Sequence, residues 1–186
     1  MILPIIAFGA PILRKQCVNI TADYPDLDYL LANMWETMYA ASGVGLAAPQ
    51  INKAISLFMI DTKPFLDDDE DSEEQVVKKV FINANIIEEK GVDWTFNEGC
   101  LSIPEIREDI IRKPSITIEY FDEFFNKHTD VFDGLTARVI QHEYDHVNGI
   151  LFTDKISPLR KRMVKGKLID IKKGKVSVNY KMRFFK

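Results

Sequence analysis

Residues 133–149 read DGLTARVIQHEYDHVNG and hold two of the chain's three histidines, His142 and His146, with Glu143 between them. Histidines four residues apart on a helix lie one turn apart on the same face. Neutral imidazoles placed in this way can bind one transition metal ion, and a glutamate between them can act as a base. The pattern therefore predicts a helical metal site, with two packing histidines beside a solvated glutamate as the plainer alternative.

The same stretch carries the signals that begin, end and bury a helix. Asp133 can cap the N-terminus, and Gly149 can close the C-terminus. Leu135 and Val139 fall on the same stripe of the helix as the two histidines. We therefore expect the histidines to be buried beside a partly apolar wall.

Length and composition are those of a globular protein. The chain has 186 residues, 46% of them hydrophobic, which is enough to bury the core of one domain spanning 1–186. The opening MILPIIAFGAPIL is apolar, but it contains two prolines, lacks a basic flank and is too short to span a bilayer. The sequence therefore predicts a cytoplasmic protein without membrane association, whose two cysteines, Cys17 and Cys100, are free thiols.

Charge is unevenly distributed along the chain. Twelve of the 24 basic residues fall in 155–186, where Asp170 is the only acidic residue. Such a basic tail favours contact with a phosphate-rich surface, and a ribonucleoprotein is the partner class it suggests, with a merely solvated terminal segment as the alternative. The run 67–74 is strongly acidic and indicates a hairpin loop, without the spacing of a calcium-binding loop.

Hydrophobic periodicity indicates a mixed fold. Residues 25–41 have apolar side chains at three- and four-residue spacing, which predicts an amphipathic helix. Short segments rich in β-branched and aromatic residues predict strands at 55–61, 77–84, 86–90, 109–113 and 115–122. Residues 175–184 alternate between polar and apolar side chains, which predicts a strand with one basic face and a strand-like character for the basic tail 155–186. The sequence thus favours an α+β fold, with antiparallel sheets around one buried, central metal-binding helix.

A metal site needs a third protein ligand, and the sequence offers two candidates. No histidine or glutamate follows His146, so the ligand must come from upstream. Cys100 lies in the sequence EGCLSIP at 98–104, where a glycine lets the backbone approach closely and a thiolate can bind a soft metal. His128 lies in a polar stretch that is typical of a surface turn. Cys100 also has a plainer reading as a small buried residue.

A third notable stretch is GVGLAAPQ at 43–50, which follows the predicted first helix. Its glycines and alanines leave room for another chain to lie along the backbone, and Gln50 offers two amide donors. The stretch lacks the lysine and the spacing of a phosphate-binding loop. A helix-terminating turn is its plainer reading.

Together, GVGLAAPQ, EGCLS and QHEYDH resemble the three signature motifs of the peptide deformylase family. The likeness extends from PIIAFGAPILR near the start to LFTDKISPLRKR after the histidines. The resemblance implies an α+β fold, one divalent metal ion, and removal of the N-formyl group from the formylmethionine of newly made proteins. It also implies ferrous iron as the native metal, while a Cys-His-His set also suits zinc, nickel or cobalt.

The resemblance assigns roles to individual residues. Cys100, His142 and His146 would bind the metal, and Glu143 would act as the general base. The Gln50 amide and the Leu101 backbone N–H would stabilise the oxyanion. Gly45 would pair with the peptide backbone and Arg107 would meet substrate carbonyls, although an exposed arginine is more often simply solvated. The candidates for the methionine pocket are Val44, Leu135 and Val139.

Two other function classes compete with this reading. A metallopeptidase shares HExxH chemistry, but its third metal ligand usually lies downstream of the motif. A non-catalytic binding module stabilised by a metal ion needs neither Glu143 nor Gln50. The expected partners are N-formylmethionyl nascent peptides and the ribosome, with a monomer favoured. The acidic run 67–74 looks like an insertion relative to the family. Gly166 and Gly174 argue against the long C-terminal helix of one family branch, which is associated with ribosome docking.

Overall fold

The structure is a computed structural model and describes residues 1–66 and 75–185. The acidic run predicted at 67–74 lies outside the described residues. In chain order the elements are β1 (Ile5–Ile6), α1 (Leu27–Ala40), β2 (Gly45–Ala47), β3 (Leu57–Asp61), α2 (Lys63–Leu66), β4 (Lys78–Lys90), β5 (Trp94–Cys100), β6 (Ile103–Arg112), β7 (Ser115–Phe121), β8 (Lys127–Asp133), α3 (Gly134–Val147), α4 (Phe152–Lys155), α5 (Pro158–Lys172) and β9 (Met182–Arg183). Two 3₁₀ turns, Pro11–Arg14 and Ala48–Ile51, complete the set.

The strands form three sheets. Five of them pair in the order β2-β3-β4-β7-β8, and every pair in this sheet is antiparallel. β5 and β6 form a separate antiparallel hairpin, whereas β1 and β9 form a short parallel pair. The prediction of an α+β fold built on antiparallel sheets is therefore confirmed, with the β1–β9 pair as an exception that the sequence did not indicate.

The five-stranded sheet lies between two helices, and strand alternation explains why. Leu57 and Met59 of β3 pack with the buried face of α1, whereas Phe58 and Ile60 point to the other side and pack with α3. Successive side chains of a strand point to opposite faces, so one fully buried strand serves two apolar layers. This arrangement presses α3 against β2 and β3 and fixes the position of its histidines.

The ends of α3 follow from local chemistry. Asp133 stands at the N-cap with an extended backbone, but its side chain accepts no capping hydrogen bond. At the other end Gly149 has φ +72°, and the N–H groups of Gly149 and Ile150 donate to the carbonyls of His146 and Asp145. This pair of bonds is a Schellman motif. The predicted glycine stop is therefore confirmed.

Several predicted strands have different bounds. The segments 77–84 and 86–90 form one strand, β4, which is kinked by register shifts near Asn83, a residue with φ +52°. The predicted 109–113 is the end of the longer β6, and the sequence did not indicate β5 or β8. Predictions at 55–61, 115–122 and 25–41 match β3, β7 and α1 to within two residues.

The C-terminal region corrects two expectations. The prediction that 155–186 is strand-like is wrong for its first half, because the 15-residue α5 occupies Pro158–Lys172 and runs through Gly166. Gly166 therefore does not prevent a helix in this region. From 175 to 185 only Met182–Arg183 joins a sheet, and residues 179–180 form a bend. Within the described ranges, none of the helices combines the length and the apolar character needed to cross a membrane.

Candidate active site

A cavity of about 420 Å³ lies where β2, the β5–β6 hairpin and α3 meet. Its lining includes Val44, Gly45 and Gln50 from the segment after α1, Cys100, Leu101 and Arg107 from the hairpin, and Val139, His142 and Glu143 from α3. The three sequence motifs, which are separated by about 40 residues or more along the chain, therefore converge on one cavity.

Cys100, His142 and His146 form the candidate metal centre. One ligand atom from each residue lies within 4.8 Å of the other two, and Cys100 Sγ is 3.2 Å from His146 Nε2. Burial and the neighbouring His142 lower the pKa of His146 well below its usual range, which keeps that imidazole neutral. One cysteine and two histidines suit a first-row transition metal, which such residues bind as a thiolate and neutral imidazoles, so the donor set fits the ion that the sequence implies.

Glu98 orients the first histidine. Its Oε2 accepts a hydrogen bond from His142 Nδ1 at 3.0 Å, which leaves Nε2 of the same ring as the ligand atom. Metal-binding histidines are commonly fixed by a carboxylate in this way, since the bond sets both the tautomer and the ring orientation. The sequence analysis did not assign this role to Glu98, although the residue stands two positions before Cys100.

Two buried arginines hold Glu98 in turn. Arg112 donates to both carboxylate oxygens at 2.7 and 3.0 Å, and Arg138 donates to Oε1 at 3.0 Å. Burial alone would raise the pKa of Glu98, but the hydrogen bonds from His142 and Arg112 hold it well below its usual range. Arg112 also donates to Asp145 at 2.7 Å. The network ties α3 to the β5–β6 hairpin and keeps a permanent negative charge behind His142.

Glu143 is buried at the wall of the cavity, only 4% exposed. Among the described residues its Oε2 has no hydrogen-bond partner. Burial raises the pKa of Glu143 to about 7, so the carboxyl group can exchange a proton near neutral pH. A buried carboxylate oxygen without a partner, next to three candidate metal ligands, is arranged to act on a molecule that enters the cavity.

Position 45 must be a glycine because it lies directly against the Glu143 carboxylate. A β-carbon added at Gly45 would lie 2.8 Å from Cγ and Cδ of Glu143 and closer still to Oε1. No side chain other than hydrogen fits there without displacing Glu143. The glycine therefore determines the position of the proposed base as well as leaving its own backbone accessible to a ligand.

Gln50 is fixed at both ends of its amide. Its Oε1 accepts from the Ala47 N–H at 2.8 Å, which leaves Nε2 directed at the other wall. Nε2 lies 3.6 Å from Cys100 Sγ and 3.2 Å from Ser102 Oγ. The fully buried amide therefore presents an N–H donor at the candidate metal centre.

Leu101 follows Cys100 in the tight turn between β5 and β6. Its carbonyl oxygen accepts a hydrogen bond from the Tyr180 hydroxyl at 2.8 Å, and Tyr180 also lines the cavity. Burial, together with the neighbouring Cys100, raises the pKa of Tyr180 to about 12, so the hydroxyl keeps its proton. Tyr180 belongs to the alternating segment 175–184, and the sequence alone gives no sign that it reaches this site.

The predicted substrate-binding residues are mostly brought together. Val44, Gly45, Val139 and Arg107 line the cavity, and Arg107 is held by Asn97 through its side-chain and backbone oxygens. Leu135 is half-buried one turn before Val139 and is not among the cavity-lining residues of the described chain. The structure therefore gives Leu135 no place in the pocket that the sequence analysis proposed.

The third histidine and the second cysteine lie elsewhere. His128 Nε2 is 2.8 Å from Asp122, and its ring stacks on Tyr120 at the outer strand of the large sheet. Cys17 is half-buried against the α3 side of the core, where burial raises the pKa of its thiol to about 11. Both cysteines are free thiols, as predicted.

Comparisons with known proteins find relatives over almost the whole chain. The family model described as polypeptide deformylase matches residues 2–162. Peptide deformylase of Christiangramia forsetii is 60% identical over 99% of this chain and 96% of its own, and that of Flavobacterium johnsoniae is 57% identical over the same shares. The crystal structure of a peptide deformylase from Legionella pneumophila has a TM-score of 0.80 and 35% identity, covering 94% of this chain and 98% of that chain. The chain belongs to the polypeptide deformylase family.

Proposed function

We propose that Cys100, His142 and His146 bind one divalent metal ion, and that Glu143 is the general base of an amide hydrolysis in this cavity. As a member of its family the chain is an enzyme, and it removes the N-formyl group from nascent peptides. The observation that carries the mechanism is the unpartnered Glu143 oxygen beside the three candidate ligands.

The fit of the donor set supports the metal. A divalent ion held by a thiolate and two imidazoles supplies Lewis acidity to a carbonyl and to water. Ferrous iron is the ion expected from the family, and zinc, nickel or cobalt suit the same ligands. Glu98 fixes the His142 tautomer whichever of these ions is present.

Proton transfer falls to Glu143. Its carboxylate takes a proton from the attacking water and passes it to the amine that leaves when the formyl C–N bond breaks. A pKa of about 7 matches both halves of this task, because the group can accept and release a proton at neutral pH. General acid–base catalysis of this kind contributes roughly 10²- to 10⁴-fold to a rate.

Two N–H donors stabilise the tetrahedral oxyanion in this proposal. The Gln50 Nε2 is already directed at Cys100, and the Leu101 backbone N–H follows that residue directly. Removal of one such donor typically costs about 3 kcal/mol of transition-state stabilisation. The donors are positioned before the substrate arrives, so little reorganisation accompanies the reaction.

The substrate lies along the cavity. The Gly45 backbone pairs with the extended peptide, the methionine side chain enters the apolar part near Val44 and Val139, and Arg107 meets peptide carbonyls at the rim. The proposed active unit is a monomer. A cytoplasmic location completes the proposal, since nascent formylated peptides are made there.

The basic surface of the C-terminal region supports ribosome contact. Exposed basic side chains on and just after α5 include Arg162, Lys165, Lys167, Lys172 and Lys173. Lysines and arginines that bind phosphates give an affinity that falls steeply with salt concentration. This contact is measured by co-sedimentation of the protein with ribosomes at increasing salt concentration. The control is a variant in which these basic residues are replaced by glutamine.

The test of the mechanism is Glu143→Ala assayed on formyl-Met-Ala-Ser. The variant should keep stoichiometric metal and its fold while kcat falls by about 10²-fold or more. Glu105→Ala is the matched control, because Glu105 is an exposed glutamate at the rim of the same cavity. Unformylated Met-Ala-Ser should remain intact with every protein. Parent-like turnover by Glu143→Ala would refute the proposed base.

A further inference from the structure

Three polar side chains form a row on the exposed face of the β5–β6 hairpin. In the register of the two strands Asn97 pairs with Asp109, and Gly99 pairs with Arg107. Paired residues, and residues two apart along one strand, project from the same face of a sheet. Asp109, Asn97 and Arg107 therefore stand in line, and the row ends at the active-site cavity, which Arg107 lines.

Asn97 holds the guanidinium group of Arg107 through two acceptors. Arg107 Nε donates to Asn97 Oδ1 at 2.9 Å, and Nη2 of the same group donates to the Asn97 backbone carbonyl. Two hydrogen bonds from different nitrogens of a planar group fix its orientation as well as its position. A free arginine side chain carries about 2 kcal/mol of rotamer entropy, part of which is lost when it binds a ligand. Asn97 therefore restricts Arg107 before any peptide arrives.

Asp109 determines which end of the Asn97 amide faces the arginine. Its Oδ1 accepts a hydrogen bond from Asn97 Nδ2 at 2.8 Å. A side-chain amide has one donor end and one acceptor end, whereas a guanidinium group has only donors. Because the amide nitrogen is directed at the carboxylate, the amide oxygen faces Arg107 and can accept its hydrogen bond.

The nitrogen of Arg107 that Asn97 does not hold lies beside the cavity. Among the described residues, Nη1 of Arg107 has no hydrogen-bond partner. A β-carbon added at Gly99 would lie only 2.9 Å from this nitrogen, so Nη1 lies directly against Gly99, the residue before Cys100. Gly99 also lines the cavity. The two N–H groups of Nη1 are therefore available to a ligand in the cavity.

We propose that Asn97 is a positioning residue for peptide binding: it holds Arg107 so that Nη1 donates to a carbonyl of the bound peptide. The inference rests on the proposed function, in which Arg107 meets peptide carbonyls at the rim. Because Asn97 is uncharged, it orients the guanidinium group without neutralising it.

Asn97→Ala tests this role, because it removes the Oδ1 acceptor and leaves Arg107 in place. The bond from Arg107 to the peptide lies away from the formyl group and contributes equally before and during the reaction. KM for formyl-Met-Ala-Ser should therefore rise about fivefold while kcat stays near the parent value. That factor converts to about 1 kcal/mol, the net contribution of a typical hydrogen bond.

A measurement on the arginine itself separates positioning from a general loss of structure. Solvent exchange of the Arg107 Nε–H, followed by NMR and assigned by its absence from Arg107→Ala, should become faster in Asn97→Ala. Arg107→Ala alone should raise KM at least as much as Asn97→Ala does. Addition of Asn97→Ala to Arg107→Ala should then change KM no further, because Asn97 acts only through Arg107.

Thr95→Ala is the matched control. Thr95 is exposed on the same face of β5, two residues before Asn97. This variant should keep the parent values of kcat, KM and exchange at Arg107.

Four outcomes would overturn the role of Asn97. They are a parent-like KM in Asn97→Ala, a fall in its kcat at unchanged KM, an equal rise of KM in Thr95→Ala, and additive effects of Asn97→Ala and Arg107→Ala in the double variant. If the parent itself does not cleave formyl-Met-Ala-Ser, the proposed function fails, while the exchange measurement still tests whether Asn97 holds Arg107.

Discussion

Gly45→Ala tests how closely β2 and α3 must approach for catalysis. The added methyl group would lie 2.8 Å from Cγ and Cδ of Glu143, about 1 Å short of an ordinary carbon–carbon contact. Glu143 is 4% exposed and lies at the wall of the cavity, so its carboxylate can avoid the methyl group only by leaving its present position. Either β2 or the carboxylate must therefore move by about 1 Å.

Such a displacement has a large expected effect on the rate. A misplacement of about 1 Å in a catalytic group can reduce turnover by roughly 10²-fold, or about 2.7 kcal/mol in activation free energy. Overpacking of this kind also destabilises a fold by about 1–3 kcal/mol. The candidate metal ligands are not part of the clash, so metal content should remain at the parent level.

The assay is steady-state cleavage of formyl-Met-Ala-Ser by metal-loaded protein, with metal analysis and thermal melting on the same samples. Gly166→Ala is the matched control, since a β-carbon there meets nothing within 4 Å and the residue is inside α5. The control should melt at a slightly higher temperature, because alanine is favoured over glycine in a helix by about 1 kcal/mol. A Gly45→Ala protein with turnover within threefold of the parent would refute the steric argument.

Two further predictions concern the ligands and their support. Cys100→Ser should lose most of its bound metal, because an alcohol must be deprotonated to replace a thiolate, whereas Cys17→Ser should keep it; the opposite pattern of metal content would contradict the assignment. Glu98→Gln should destabilise the protein by about 3–5 kcal/mol, since Arg112 and Arg138 would lose a buried counter-charge. The pKa of Glu98 is depressed in the folded state, so its contribution is full above the unfolded value of about 4.3 and is lost as the pH falls below it. The difference in melting temperature between the parent and Glu98→Gln should therefore be largest at neutral pH and should shrink in acid. A constant difference at every pH would show that the charge of Glu98 is not responsible.

The elements that the sequence predicted well are those in which periodicity and end signals agree. α3 has an apolar stripe and a glycine stop, and α1 has an equally regular stripe. β5 was missed because WTFNEGC lacks regular alternation, and its pairing with β6 is what makes it a strand. α5 was missed because Gly166 was given too much weight, although one glycine costs a helix only about 1 kcal/mol. Ser157, whose hydroxyl accepts from the Arg160 N–H, was the available start signal.

The residues of the candidate site also differ in how well the sequence predicts them. Gln50 and Glu143 belong to sequence motifs that resemble those of a known family. The resemblance therefore indicates that they lie in the same site. Glu98, by contrast, is held by Arg112 and Arg138, which lie 14 and 40 residues away along the chain. Only the folded arrangement brings these charges together, and buried ion pairs leave no periodic pattern in a sequence. The sequence therefore indicated the reacting groups more fully than the groups that orient them.

The position of Tyr180 gives the enzyme an order of assembly during its own synthesis. The ribosome makes His142 38 residues before Tyr180, an interval of roughly 2–8 s at 5–20 residues per second. In that interval the metal ligands exist without the hydroxyl that holds the Leu101 carbonyl. The cavity also lacks the part of its wall that the Tyr180 ring forms, and the chain is still attached to the ribosome. The wall of the cavity is therefore complete only after the C-terminal segment has emerged and packed beside β1.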